Sequence, residues 1–190
     1  MPTVSVIYHS GSGHTRAMAE AVLAGVASVA DTHAHLLAIE GRDIIQGRWR
    51  NDAILAQLDA SDAIIFGSPT YMGCVSAQFK AFLDATADRY PSRAWADKLA
   101  AAFTVSGGPA GDKLNTLVTL LIFAMQHGMI WVGQIHTPFD QSGLNRFVFH
   151  LGAAGQAGQE DPTVAPSPED KETGRCLGIR VATLARRLKP

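Results

Sequence analysis

Apolar positions in this chain fall into two rhythms. Short apolar runs at 3–8, 62–67 and 99–105, each bounded by polar or turn residues, predict buried strands. His33–Ile39 alternates and predicts a further strand, and 129–132 predicts a short fifth one. Between these runs apolar residues recur every three or four positions. Met18, Val22 and Val26 mark a helix over 14–29, Phe79, Phe82 and Leu83 one over 76–88, and 52–58 a short one. The strongly apolar 113–126 predicts another, with Gly128 as its stop, and Pro91 ends the helix before it. The last helix opens on Ser167-Pro168-Glu169-Asp170, a cap, a first-turn proline and two acids, and carries the stripe Leu177, Val181, Leu184 and Leu188. A polar connection carrying Trp49 spans 40–51, and a long Gly-rich segment spans 134–166.

Five alternations of strand and helix predict an α/β protein: a parallel sheet covered on both faces, built as a single domain over 1–190. Ligands of such sheets bind at the carboxyl ends of the strands. Three loops leave that edge with usable chemistry: 9–15, 68–75 and 106–111. In the first, Ser10, Gly11, Ser12, Gly13, His14 and Thr15 join a strand to a helix. Glycines let the backbone approach an anion, and the helix N-terminus offers free N–H groups and a favourable dipole. The loop has no lysine, so it is not the nucleotide-triphosphate loop, and its spacing is not that of the dinucleotide loop. A hydroxyl-rich loop of this kind suits a single phosphate monoester, such as that of flavin mononucleotide.

Composition narrows the reading. The 190 residues are 47% hydrophobic and 17% charged, which fits a globular chain. A net charge of −1 without a basic cluster argues against nucleic acid, and the apolar run 117–125 is too short to span a bilayer. Cys74 and Cys176 form no paired motif, which suits a reducing cytoplasm. The sequence has neither a paired-carboxylate motif nor a zinc-helix motif, and Ser10 and Ser12 lack the spacing of a hydrolase nucleophile.

With these residues in view, the chain resembles the flavodoxin-like superfamily and, more narrowly, the Trp-repressor-binding-protein-like NAD(P)H:quinone oxidoreductases. Five elements carry the resemblance: Ser10-x-x-Gly13-His14-Thr15, the run 64–73 ending in Pro69-Thr70-Tyr71-Met72-Gly73, Phe82-Leu83-Asp84-x-Thr86, Ser106-Gly107-Gly108, and the run from Leu121 into Gln126-His127-Gly128-Met129. It implies a doubly wound five-stranded sheet of order 2-1-3-4-5, FMN as cofactor, NAD(P)H as co-substrate, two-electron reduction of a quinone, and a homodimer or homotetramer. The chain departs from the family at Ser12, at Tyr71-Met72 and in the loop after Ser106. Two other readings use the same residues: a flavodoxin-type electron carrier or passive FMN-binding protein, and an NAD(P)H-dependent FMN reductase.

Individual residues carry specific expectations. The Thr70 hydroxyl is expected at the polar edge of the flavin, with Tyr71 or Met72 over a ring face. His127 stands at the far end of a helix that runs away from the ligand edge. It is therefore either a capping histidine or, as the resemblance implies, a flavin contact presented by a neighbouring subunit. Tyr90 and Trp95 either wall a cleft or pack. The 134–166 segment, with Phe139, Arg146, Phe147, Phe149 and His150, is expected to be a lid or a subunit contact, because disordered segments are poor in aromatics.

Overall fold

A computed structural model describes residues 1–139 and 142–189; Asp140 and Gln141, inside the expected long loop, and Pro190 lie outside the described residues. In chain order the elements are β1 (Thr3–Tyr8), α1 (His14–Ala27), β2 (His33–Ala38), β3 (Ile44–Ile45), β4 (Arg48–Trp49), α2 (Asp52–Ala60) and β5 (Ala63–Tyr71). There follow β6 (Cys74–Val75), α3 (Ala77–Ala85), β7 (Leu99–Ser106), α4 (Lys113–Gln126), β8 (Ile130–Trp131), β9 (Ala153–Gln156) and α5 (Pro168–Leu188). The expected Ser167 cap is in place, and Ser76 adds one that was not foreseen. The Ser76 and Ser167 hydroxyls accept from Phe79 N–H and Asp170 N–H, and Pro168 enters the first turn of α5.

The central sheet runs β2-β1-β5-β7 in parallel, and the outer edge of β7 carries two short strands in succession. β8 pairs with Leu99 and Ala100 at the start of β7, and β9 with Phe103 to Ser106 at its end. The fifth position is thus one strand broken in two, and the order is the expected flavodoxin-like 2-1-3-4-5. Two boundaries differ from the sequence reading. β5 continues to Tyr71 and turns back into β6, so all of the expected 68–75 loop but Met72 and Gly73 is strand. Residues 153–156 of the expected 134–166 loop form β9. Ala-Ala-Gly-Gln carries no β-branched or aromatic signal, and it becomes a strand because β7 presents an unpaired edge.

Alternation along the strands makes two cores. Val4, Val6, Ile65, Phe103 and Val105 face α1 and α5. Ile7, Ile64, Phe66, Ala100 and Ala102 face α2, α3 and α4. Trp95 is fully buried in the second core with its ring edge toward Phe123, so it packs, while Tyr90 is half exposed beside Arg93. Among the described residues no helix is long and apolar enough to cross a membrane, and no group of side chains has the makings of a metal site.

Candidate functional site

The carboxyl ends of β1, β5, β7 and β9 converge on a cleft of about 640 Å³. One wall is the turn before α1. The Ser10 hydroxyl accepts from the N–H groups of Gly13 (3.0 Å) and Arg16 (3.2 Å), closing that turn from behind. Gly13 has φ +95°, and a Cβ there would sit 2.6 Å from Pro162 Cγ; a Cβ on Gly11 would collide with the Tyr71 phenol oxygen. No acidic residue occupies the first turn of α1, so the positive pole of the helix is not neutralised from within. Ser12, His14 and Thr15 line the cleft itself, while Ser10 and Gly13 line a smaller recess on the other side of the loop, with Arg16.

His14 joins this wall to the opposite one. Its Nε2 lies 2.7 Å from the Glu160 carbonyl oxygen and its Nδ1 3.0 Å from the Ser12 hydroxyl. A carbonyl only accepts, so Nε2 carries the proton and Nδ1 accepts from Ser12. Residues 157–162, which follow β9 and belong to the 134–166 segment expected as a lid or a subunit contact, form this opposite wall. They bring Glu160 and Asp161 to the cleft, but both carboxylates are engaged by their own turn. Glu160 accepts from Gly158 N–H (2.6 Å), and Asp161 from the N–H (2.8 Å) and hydroxyl (2.6 Å) of Thr163. These donors hold both acids below their ordinary range: the Thr163 hydroxyl foremost for Asp161, and the backbone N–H groups of Glu160 itself and Gly158 for Glu160.

The β5–β6 hairpin supplies Pro69, Thr70 and Tyr71 to the cleft. Its two-residue turn, Met72 (φ +47°) and Gly73 (φ +81°), has the left-handed pair such hairpins favour. Met72 is fully exposed at the tip, and Tyr71 is half exposed with its phenol oxygen against Gly11. The expectation for the Thr70 hydroxyl is corrected. Thr70 shares the strand face of Ile64 and Phe66, toward α4, and its hydroxyl is spent on Thr104 and Thr116, each at 2.8 Å. Only the rest of Thr70 is left for a ligand.

The third wall is the loop after β7. Ser106 and Gly107 line the cleft, and Gly108 stands behind them, accepting from the Ser106 hydroxyl at 3.2 Å. Behind this loop lies Lys113, fully buried, whose ammonium is lowered to about 8 by burial, with Asp170 opposing the shift and Arg146 adding to it. The sequence did not signal Lys113, because a lysine in a first helical turn reads as solvated, and it gave no hint that Arg146, Phe147 and Asp170 meet there.

His127 stands apart from every other expected site residue. It caps the C-terminus of α4, next to β8, and β8 pairs with the first residues of β7, at the pole away from the cleft. This is the far end expected of it: a helix that starts at the ligand edge carries its last residue to the other edge, so within one chain His127 is a capping residue. His127 is buried, with its ring 4.8 Å from those of Trp95 and Phe123. The Thr86 hydroxyl donates to the Leu83 carbonyl (2.7 Å), so His127 Nε2–H donates to Thr86 (3.0 Å). Its Nδ1 is left a buried acceptor with no partner. Burial, then Arg93 and Arg89, hold the imidazole below its ordinary range. A separate hollow of about 610 Å³ opens beside it, between α3 and α4.

The cleft fits a phosphate-bearing planar cofactor. The two glycines of the loop have no room for a side chain, the helix pole is uncompensated, and the acids nearby are already satisfied. Comparison with known proteins agrees with this geometry. The family described as NADPH-dependent FMN reductase matches residues 3–142. The chain is 35% identical over 194 residues to a protein named Flavodoxin FldP from Pseudomonas aeruginosa, with 99% of each chain covered. It is 33% identical over 202 residues to an NAD(P)H dehydrogenase (quinone) from Syntrophobacter fumaroxidans, covering 97% of this chain and 98% of the relative. Among solved structures, a flavodoxin, WrbA-like protein from Agrobacterium tumefaciens superposes with a TM-score of 0.77 at 40% identity, covering 100% of both chains.

Proposed function

The chain belongs to the NADPH-dependent FMN reductase family, and we propose that it is an oxidoreductase that holds FMN in the 640 Å³ cleft and reduces a quinone at the expense of NADH or NADPH. The observation that carries this reading is the meeting, in one cleft, of the glycine loop, the free pole of α1 and the walls from β5 and β7. When bound, FMN supplies hydride acceptance and two-electron donation. The chain supplies binding and orientation. The N–H groups of Gly11, Ser12, His14 and Thr15 and the Thr15 hydroxyl are the donors for the phosphate, with Ser10, which takes up the Gly13 N–H, and His14, which takes up the Ser12 hydroxyl, fixing the turn that presents them. Residues 69–73 and 106–108 are available to the ring system, and 157–162 narrow the access of water. No side chain is needed as a formal acid or base.

His127 enters this reading only through a second copy of the chain. Helix α4 is apolar on its outer face as well as its inner one, with Leu114, Ile122 and Met125 exposed, and Tyr90 and Ile130 exposed nearby. A second copy covering that stripe would make a homodimer or homotetramer and supply a partner for the orphaned Nδ1. Free thiols at both cysteines suit a reducing cytoplasm.

The test is steady-state oxidation of NADH and NADPH by the FMN-reconstituted protein, with benzoquinone as acceptor under low oxygen. Turnover well above that of free FMN, with parallel double-reciprocal lines, is expected. The relative named a flavodoxin favours an electron carrier as the second reading. Tight FMN binding without nucleotide-driven reduction would select it.

A further inference from the structure

Lys113 is buried to completion, and the hydrogen bonds of its ammonium among the described residues go to carbonyl oxygens. Nζ donates to the carbonyl oxygens of Gly108 (2.6 Å) and Pro109 (2.9 Å), and lies 4.7 Å from the centre of the Phe147 ring. The same ring carries the Arg146 guanidinium at 3.9 Å. Arg146 makes a two-pronged pair with the buried Asp170, at 2.7 and 2.9 Å. Asp170 also accepts from Gln156 N–H (2.9 Å), and the Gln156 side-chain amide donates to the Gly107 carbonyl (3.1 Å). One cluster of charges thus ties together the 107–111 loop, the excursion between β8 and β9, the end of β9 and the first turn of α5.

A methionine would fill the same space without the desolvation an ammonium suffers. The groups that act on Lys113 are Asp170 from α5 and Arg146 from the excursion; Glu169 acts on Arg146, and Asp112, exposed, adjoins Lys113 on α4. We propose that Lys113 is a positioning residue of the flavin site: its ammonium fixes the turn of loop 107–111 that walls the cleft, and Arg146 and Phe147 keep it in place. The inference rests on the FMN reading, and Lys113 touches neither cofactor nor substrate. A neutral amine still donates to both carbonyls, but without charge assistance and without attraction to the ring. The wall therefore loosens as pH passes the value near 8 at which burial sets this lysine.

The experiment measures FMN dissociation constants by fluorescence quenching from neutral pH to about pH 10. Protection of the 107–111 amides against hydrogen exchange is followed in the apoprotein over the same range. Titrations of FMN itself are common to all variants. In the wild type the dissociation constant should rise about three- to tenfold across pH 8, since charge assistance is worth up to about 1.4 kcal/mol. Lys113→Met should start about tenfold weaker and show no such step, with the loop amides less protected throughout. Arg146→Lys, which keeps a positive charge beside the buried Asp170 but gives up the two-pronged pair and the flat stack on Phe147, should leave the step near pH 8 while lowering the protection of the loop amides. A Lys113→Met profile parallel to the wild type, or a wild-type profile without the step, overturns the proposal. If the wild type binds no FMN at any pH, the FMN reading falls, and the apoprotein protection factors decide the role of Lys113 alone.

Discussion

Two buried histidines stand at opposite poles of this molecule, and their surroundings differ in kind. His14 has both ring nitrogens engaged, one by Ser12 and one by the backbone of Glu160, and it ties two walls of a polar cleft together. His127 sits in an aromatic box with Trp95 and Phe123 and has one nitrogen with nothing to bind. Both are equally prominent in the sequence. At the ligand edge one chain satisfies its histidine and leaves backbone donors open to a ligand, whereas the far pole is left with a histidine nitrogen and an apolar helix face that one chain does not satisfy.

The sharpest way to break this contrast is His127→Ala. It empties space between two aromatic rings and should cost about 2–4 kcal/mol in unfolding free energy, while FMN affinity in dilute protein stays unchanged. Unchanged quinone turnover in the assembled protein would remove His127 from the flavin site altogether. Gly13→Val attacks the other pole. It forces a β-branched residue into the left-handed region against Pro162, and about 1–3 kcal/mol of strain should appear as roughly ten- to hundredfold weaker FMN binding.

His14→Ala removes two hydrogen bonds of about 0.5–1.5 kcal/mol each, so FMN affinity should fall about tenfold with a smaller change in melting temperature. Equal losses of affinity at His14 and His127 would dissolve the comparison. Acid provides a subtler probe. Burial holds His9 and His127 below the ordinary value of 6.5, so the unfolded chain takes up those protons first. Stability should be flat above about pH 6.5 and decline below it, by up to about 1.4 kcal/mol per pH unit for each group, and His127→Phe should shallow the decline. The smallest effect is at Met72. Fully exposed at its hairpin tip, it should change stability by less than about 0.5 kcal/mol when replaced by Ser, as thermal unfolding will show.

What the sequence revealed was local. The alternating and apolar runs marked the five strand positions, and the glycines and hydroxyls of 10–15 marked the loop that walls the cleft. The cap Ser167-Pro168 was equally plain. What stayed hidden depended on distant partners. Ala153–Gln156 looks like loop until an open strand edge is placed beside it. Lys113 looks solvated until Phe147 and Asp170 arrive from 34 and 57 positions away (147 − 113 and 170 − 113). The Thr70 hydroxyl looks available until Thr104 and Thr116 claim it. Asp170 looked like a helix-dipole acid, and its charge is in fact spent on Arg146. In each case the residue type was visible, and the neighbour that decided its role was not.

The broken fifth strand bears on how copies of this protein behave when crowded. An outermost strand with an uninterrupted row of free N–H and C=O groups invites another sheet to add to it. Here that edge is cut into pieces of two and four residues, with a folded excursion between them. An incoming strand would find no straight run of partners to zip against. The interruption that brings Arg146 and Phe147 to Lys113 therefore also guards the molecule against edge-to-edge aggregation.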